Sequence, residues 1–439
     1  MKSLLVPVYL TAGRNSEFDS QLAILKELLA EEAEFLDPVP LGSTLPKADA
    51  ALFPQLLGEA YRQAPAFQNL NIPVLIVTSE FGTLSMWDWE IAGYLRNLGV
   101  STITPYSVEQ TRMICRALRV RRELQEAKFL VYQDNPGEGQ QASIFKRFYW
   151  WEDECTQRMF DKFGVRIVKS SFRELGERAR QVPDHEAELA RERWCNGNFP
   201  LPEKSLLSAL KLYLTVRSAL DADPGIRGVG MNCLNESHFS DTTPCLAWDI
   251  LYQERRLIWG CEGDTVSMLT KFVLHESLNA PIIMTNLYPF LLGQAALKHE
   301  RIQSFPDVPH PENCILVAHC GYMGVIPRPF ATEWSLKPKV LAIVNNNASA
   351  IDALLPEGDI TLAKFDTSFD RMVVVEGQLE GYAQYPGSDC RNGGILRVPD
   401  GPRLVNSLTS HHSLLMVGHH ASAIEALGNI FHFKVDRLS

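Results

Sequence analysis

The stretch WGCEGDTVSMLTKFVLHESLNAPIIMTNLYP constrains the fold of this chain more than any other segment. The apolar run Leu257–Cys261 predicts a strand, and Glu262 and Asp264 then open a helix whose apolar residues recur at helical spacing. A second strand is predicted over Ile282–Thr285, with Asn286 at its end. Because polar side chains at strand ends of an α/β chain commonly face a ligand crevice, the stretch predicts a site as well as a fold.

The first half of the chain predicts strands that alternate with helices. Predicted helices include Val108–Leu124, Ser143–Phe163 and one long helix over Phe172–Arg193. Strands separated by helices of this length indicate parallel sheets with helices on both faces. After Pro327–Pro329, short strands are separated by Gly, Pro and Asp with little helix between them, which favours a β-rich domain.

The predicted fold class is therefore α/β, with two Rossmann-like parallel-sheet α/β domains followed by a β-rich, barrel-like C-terminal domain. The predicted boundaries are residues 1–165 for the N-terminal α/β domain, 166–325 for the central α/β domain with the CEGD turn, and 326–439 for the β-rich domain with His419–His420.

The overall composition narrows the class of partner and the compartment. The 439 residues include 42 Lys and Arg against 52 Asp and Glu, a formal net charge of −10, so we expect no nucleic-acid partner. No apolar run of about 18 residues occurs and the N-terminal apolar run is short for a signal peptide, so we expect no membrane partner. Nine scattered cysteines without a CxxC pair predict reduced thiols and a cytoplasmic protein.

Histidines at two further strand ends extend the predicted site. His319 ends the strand NCILVAH, and His419–His420 end the strand SLLMVGHH. Together with Glu262 they are plausible ligands for a divalent cation, although an apolar-flanked His319 could equally be a core residue. Asp264 is predicted to serve the helix start or to support the ligands, and His411–His412 are predicted to form a solvated turn.

These residues also carry a family resemblance. The CEGD turn, a polar residue after the next strand, the isolated AH and the late GHHAS together resemble the L-fucose isomerase / L-arabinose isomerase family. The resemblance implies that Glu262 binds Mn²⁺ and acts as acid and base, with Asn286 at the position of the second acidic ligand. It also implies that His420 completes the site, that His419 packs against or orients the ligands, and that His319 matches the additional His of the arabinose branch.

Asn286 departs from the family pattern. An Asn carbonyl can coordinate a hard cation, but it cannot accept a proton at neutral pH. Glu236 and His238, in the loop NCLNESHFSD, are the nearest candidates to replace the missing carboxylate. Three functions stay open: an aldose–ketose isomerase acting on a pentose or deoxyhexose through an enediolate, a divergent epimerase, hydrolase or lyase acting on a sugar or glycoside, and a catalytically silent sugar-binding protein.

The resemblance implies further partners and contacts. It implies Mn²⁺ or another divalent cation as cofactor, a small-molecule sugar as ligand, and assembly as a homo-trimer or homo-hexamer. In the fucose-isomerase branch, the loop that corresponds to FGTLSMWDWE reaches into the pocket of a neighbouring subunit, so Trp87 is predicted to stack on the sugar. Arg14, after the first strand, is predicted to contact the substrate.

Overall fold

The computed structural model describes residues 1–56, 58–134, 149–195, 197, 199–290, 307–384 and 392–438. The chain forms two compact units. The first comprises Met1–Glu123, Glu276–Asn279 and Ser422–Phe433, and the second comprises Leu124–His275, Ala280–Ala421 and Lys434–Ser439. Among the residues described, no helix is both long enough and apolar enough to cross a membrane.

The first unit is built on a parallel sheet. Its strands are β1 (Ser3–Tyr9), β2 (Ala33–Phe35), β3 (Val39–Pro40), β4 (Ala50–Phe53), β5 (Val74–Ile76) and β6 (Thr102–Ile103), in the order β2-β1-β4-β5-β6 with β3 beside β1. Its helices are α1 (Ser16–Leu28), α2 (Ala64–Gln68), α3 (Trp89–Asn97) and α4 (Val108–Leu124). All four residues of β4 are buried, as expected for a strand covered on both faces.

The second unit contains a second parallel sheet. Its strands are β7 (Lys128–Tyr132), β8 (Arg166–Ser170), β9 (Ile226–Met231) and β10 (Ile258–Cys261), in the order β10-β9-β7-β8. The helices that follow or separate them are α5 (Asp153–Phe163), α6 (Phe172–Gln181), α7 (Asp184–Trp194), α8 (Glu203–Ala222), α9 (Cys245–Arg255) and α10 (Thr265–Leu278). Because the strands are parallel, their carboxyl ends meet at one edge of the sheet.

The second unit also contains a closed antiparallel barrel. Six strands form it in the order β15-β18-β11-β12-β17-β16, and pairing of β15 with β16 closes the ring. These are β11 (Ile282–Pro289), β12 (Cys314–Ala318), β15 (Gly358–Phe365), β16 (Arg371–Ala383), β17 (Gly393–Arg397) and β18 (His412–Val417). A separate hairpin consists of β13 (Glu333–Pro338) and β14 (Ser349–Leu354), and β19 (Lys434–Leu438) pairs with β16. The helix α11 (Gly401–Ser407) belongs to this unit, whereas α12 (Ala421–Phe431) belongs to the first unit from Ser422 onward.

The predicted fold class is confirmed, with two parallel sheets and a C-terminal antiparallel barrel. Two strands nevertheless belong to sheets of other domains than those predicted from the sequence. The strand β7, assigned to the first domain, pairs with β8 and β9 in the second sheet. The strand β11, assigned to the central α/β domain, is antiparallel and lies in the barrel between β12 and β18. The domain boundaries at residues 165 and 325 stay predictions.

One predicted helix is wrong in detail. The helix expected over Phe172–Arg193 is two helices, α6 and α7, because Pro183 at the start of α7 has no backbone N–H to continue the hydrogen bonding of α6. The helix Val108–Leu124 has the predicted bounds. Of the helix predicted over Ser143–Phe163, the part Asp153–Phe163 is an α-helix and Tyr149–Trp151 form a separate 3₁₀ helix, while residues 143–148 lie outside the described residues.

Candidate metal centre

The turn after β10 holds Glu262 in an unusual backbone conformation. Glu262 has φ 55° and Gly263 has φ 65°, both in the left-handed region that a non-glycine residue adopts at a cost. The indole N–H groups of Trp151 and Trp150 donate to the Glu262 carbonyl, at 3.0 and 3.4 Å, and fix this turn. Backbone strain of this kind is concentrated at functional sites, and here the strained residue is Glu262, whose side chain is buried.

His319 lies at the start of a tight turn that follows β12. Cys320 and Gly321 have φ 55° and 86°, and His319 and Tyr322 exchange backbone hydrogen bonds across them. The His319 Nε2 atom is 3.7 Å from Oε1 of Glu262, and its Nδ1 atom is 3.0 Å from the Cys320 sulfur. The buried Nε2 atom has no hydrogen-bond partner among the described residues.

His412, the first residue of β18, faces the same carboxylate oxygen. Its Nε2 atom is 3.6 Å from Oε1 of Glu262, is buried, and has no hydrogen-bond partner in the described part of the chain. Its Nδ1 atom is 2.9 Å from Oδ2 of Asp264. An ionised carboxylate only accepts hydrogen bonds, so Nδ1 carries a proton, and in the neutral ring Nε2 has the lone pair that a metal needs.

Asp264 is held by several donors at once. Its Oδ2 atom accepts hydrogen bonds from Lys364 Nζ at 2.8 Å and from Ser267 Oγ at 2.8 Å, in addition to His412. Its Oδ1 atom accepts the backbone N–H of Ser267 at 2.8 Å, which caps the start of α10. Asp264 therefore serves the helix start, as predicted, and bonds His412 at the same time, while its support of a metal ligand stays a prediction.

His411 completes a group of potential ligands. One ligand atom each from Glu262, His411 and His412 lies within 4.8 Å of the other two. The two histidine rings are 4.2 Å apart, and the ring of His412 is 5.2 Å from that of Trp150. The predicted solvated turn at His411–His412 is therefore wrong, because His412 is fully buried and His411 is half-buried.

The charges at this site favour cation binding. Burial raises the pKa of a carboxyl, but His412 and His319 outweigh that effect and lower the pKa of Glu262 to about 2. Burial lowers the pKa of His319 to about 4 and that of His411 to about 3. Burial opposes the charged form of His412 as well, but the carboxylates of Glu262 and Asp264 raise its pKa. Glu262 is therefore ionised and His319 and His411 are neutral, which are the states in which these groups bind metals, whereas His412 would release a proton on binding an ion.

Asn286 lies beside this group. On β11 it is the register partner of His412 in β18 and of Ala318 in β12, so its side chain shares a sheet face with that of His412. Its amide nitrogen donates to the Tyr288 hydroxyl at 3.0 Å, while the buried Oδ1 atom has no partner within the described residues. A neutral oxygen acceptor therefore stands where the resemblance implies a carboxylate.

The predicted ligand His420 lies away from this group. The strand β18 runs from His412 to Val417, about 17 Å at about 3.4 Å per residue, and His420 follows its far end. There the His420 ring bonds the Val417 carbonyl at 2.8 Å. The exposed His419 has its Nε2 atom 3.6 Å from Asp359, so the structure brings neither histidine to Glu262.

Glu236 and His238, the predicted replacements for the carboxylate missing at Asn286, make other contacts. The Glu236 carboxylate accepts the backbone N–H of Asp134 at 3.0 Å and the side-chain amide of Asn232 at 3.0 Å, which ties the loop after β9 to the end of β7. His238 is exposed, and its ring is 4.1 Å from that of Phe239. The Glu236 carboxylate is thus engaged in the fold, and the predicted roles of Glu236 and His238 at the site stay predictions.

Trp87 and Arg14 lie in the first unit. Trp87 is 80% exposed in the short 3₁₀ helix Met86–Asp88. The Arg14 guanidinium is 2.5 Å from the Asp19 carboxylate, and both side chains are about half exposed. Their predicted sugar contacts stay predictions.

The donor set fits a divalent cation. The available atoms are a carboxylate oxygen and imidazole nitrogens, and two buried Nε2 atoms that face this oxygen lack hydrogen-bond partners among the residues described. The grouped ligand atoms are a carboxylate oxygen and imidazole nitrogens, and no sulfur is among them in the described part of the chain. Mn²⁺ and other divalent cations accept such a set.

The comparisons with known proteins assign no family. No family model matches this chain, and no curated protein matches it. The relationship to the fucose and arabinose isomerases therefore rests on the motifs quoted from the sequence and stays a prediction.

Proposed function

We propose that this chain is a metal-dependent sugar enzyme that interconverts an aldose and a ketose of pentose or deoxyhexose size. The observation that carries the proposal is the convergence of His319 and His412 on one carboxylate oxygen of Glu262, at 3.7 and 3.6 Å. Buried polar atoms without hydrogen-bond partners destabilise a fold, and a bound divalent cation would give the Nε2 atoms of His319 and His412 a partner.

Each residue of the site has a role in this proposal. Glu262, His319 and His412 would hold the ion, with His411 as a further ligand. Mn²⁺ or another divalent cation held there would supply polarisation of neighbouring sugar oxygens. Glu262 would act as the base that moves a proton between C1 and C2, and Asp264 would orient His412 through its Nδ1 atom. Asn286 contributes a neutral acceptor for a sugar hydroxyl or for the ion.

The test is an aldose–ketose assay on the purified protein with added Mn²⁺, with and without EDTA. We expect turnover of at least one pentose or deoxyhexose that EDTA removes and Mn²⁺ restores. Metal binding without isomerisation would favour the alternative of an epimerase, hydrolase or lyase on a sugar or glycoside, which the neutral Asn286 supports. Neither metal nor turnover would favour a silent sugar-binding protein.

Asn286→Asp distinguishes retained isomerase chemistry from altered chemistry. At an effective dielectric constant of about 20, a unit charge about 4 Å from a monovalent cation is worth roughly 4 kcal/mol before desolvation is deducted. In an isomerase the variant should therefore bind Mn²⁺ more tightly and turn over faster. In an enzyme with altered chemistry it should bind Mn²⁺ more tightly but lose its native activity. Unchanged metal affinity and activity, measured by titration and kinetics, would place Asn286 outside the site.

Assembly and location complete the proposal. We expect a closed homo-oligomer, a trimer or hexamer, because Phe81 and Trp87 are 72% and 80% exposed in the first unit, and large exposed rings usually mark contact surfaces. A monomer by light scattering at micromolar concentration would contradict this. A cytoplasmic location is consistent with the eight described cysteines, which are all free thiols.

A further inference from the structure

A small cavity lined by cysteines lies in the second unit, beside the turn that carries Glu262. Its volume is about 20 Å³, which is room for one water molecule or one metal ion. Four cysteines from separate segments line it: Cys233 follows β9, Cys245 begins α9, Cys261 ends β10 and Cys320 follows β12. The rest of the wall is mostly apolar and includes Leu234, Val325, Leu341 and Val344. The cavity therefore offers sulfur atoms in apolar surroundings, with space for a single ion.

His319 contacts both this cavity and the metal centre. It lines the cavity, and its Nδ1 atom is 3.0 Å from the Cys320 sulfur. Its Nε2 atom is 3.7 Å from Oε1 of Glu262. A metal bonds nitrogen or sulfur at about 2.0–2.3 Å, so an ion held by both Nδ1 and the sulfur must lie to one side of the line that joins them. The cavity that both residues line provides that space.

The donor atoms and the wall select the kind of ion. Soft cations such as Cu⁺ prefer sulfur ligands and also take imidazole nitrogen, whereas hard cations take oxygen. A structural Zn²⁺ takes four converging ligands, but in the part of the chain that the structure describes the only group of three or more is that of Glu262, His411 and His412. Cu⁺ needs two ligands, and one thiolate cancels its charge, so the bound ion leaves no net charge in the apolar cavity.

The thiols of this cavity are poorly suited to redox chemistry. Burial raises the pKa of Cys233 to about 12 and that of Cys245 to about 11, so both thiols are protonated at neutral pH. A protonated thiol is a weak nucleophile and reacts slowly with oxidants, whereas a soft metal ion displaces the proton as it binds. The cavity is therefore better suited to holding a metal ion than to forming a disulfide.

We infer that this cavity is a second metal site, which takes one Cu⁺ or another soft monovalent cation on Cys320 Sγ and His319 Nδ1. On binding, the thiol proton of Cys320 passes to solvent, and the Nδ1 proton of His319 moves to Nε2. A neutral imidazole has one lone pair, so Nε2 then has none for Mn²⁺. The two ions therefore oppose each other, and each lowers the affinity for the other by the same factor. Only this antagonism rests on the proposed function; the binding of Cu⁺ does not.

The first experiment titrates the metal-free full chain with Cu⁺ without oxygen, in competition with the chelator bicinchoninate. The wild type should bind one Cu⁺ per chain, and X-ray absorption at the copper edge should show sulfur and nitrogen ligands. Cys320→Ser keeps the size of the side chain but removes the soft donor, so it should weaken Cu⁺ binding at least about tenfold. Cys115→Ser is the matched control, because Cys115 is a buried thiol of the first unit, and it should bind Cu⁺ as the wild type does.

A second readout tests the link through His319. One equivalent of Cu⁺ should lower the Mn²⁺ affinity of the wild type at least about tenfold and leave that of Cys320→Ser unchanged. Circular dichroism checks the fold of the variant, and the copper-edge spectrum tests the ligands in the wild type without any substitution. Equal Cu⁺ binding by the wild type and Cys320→Ser, a copper spectrum without a nitrogen ligand, or independent binding of the two ions would each overturn the inference. Cu⁺ binding as expected without any Mn²⁺ binding would contradict the proposed function and leave the copper site standing.

Discussion

Glu262→Gln should lower sugar turnover about a thousandfold or more while the protein stays folded. The change keeps the size of the side chain but removes both the negative charge that attracts the cation and the group that accepts the proton, and general-base catalysis alone contributes about 10²–10⁴-fold. Kinetics at saturating Mn²⁺, with circular dichroism as the folding check, measure the effect. Because the Glu262 turn is fixed through its carbonyl by Trp150 and Trp151, the backbone should keep its conformation.

The matched control is Glu192→Gln, which makes the same chemical change on the exposed surface of α7. It should retain full turnover and metal affinity. If Glu262→Gln behaved like Glu192→Gln, the assignment of the metal centre to the CEGD turn would be wrong.

The buried pair Asp264 and Lys364 should give the second large effect, this time on stability. Both side chains are almost completely buried, and their charged groups are 2.8 Å apart. Burial lowers the pKa of Lys364, although Asp264 opposes this. Asp264→Leu would leave an unpaired buried ammonium, at a cost of about 3–5 kcal/mol in the free energy of unfolding. The double change Asp264→Leu with Lys364→Met should recover most of that loss, because it removes both charges.

In the double variant Asp264→Leu with Lys364→Met, the affinity for Mn²⁺ should stay low although stability recovers. In the double variant His412 has lost the carboxylate that orients its ring, so Mn²⁺ affinity should stay about 10–100-fold lower even when stability has recovered. Urea unfolding and Mn²⁺ titration measure the two properties separately. The exposed pair Lys169 and Asp153 is the control, and Lys169→Met should cost less than about 1 kcal/mol. Full metal affinity in the double variant would mean that Asp264 does not support the metal site.

The fold class and the acidic turn could be predicted because both depend on local pattern. Alternating strands and helices predict parallel sheets, and the sequence CEGD places a carboxylate at the end of β10 whatever surrounds it. The helix break at Pro183 can also be predicted from the sequence, because proline lacks the backbone N–H that a continuous helix needs.

The choice between the two late histidine pairs could not be made from pattern. The predicted ligands lie at strand ends, as in a parallel sheet, and the family resemblance selects His420, the second residue of its pair. In the antiparallel barrel, the first residue of β18 pairs with Asn286 of β11, so His412 at the strand start joins the site. The pairing of β18 with β11 joins residues far apart in the sequence. Because a histidine pair lies on each side of SLLMVG, only the direction of β18 decides which pair lies beside Asn286.

The most direct test of the metal centre is an Mn²⁺ titration of the metal-free protein, compared among the wild type, His412→Gln and His420→Gln. The wild type should bind one Mn²⁺ per chain at this centre. His412→Gln should lose that binding by at least about tenfold, because a ligand and its link to Asp264 are gone, whereas His420→Gln should bind as the wild type does. Unchanged binding by His412→Gln, with loss in His420→Gln, would contradict the account and return the site to the far end of β18.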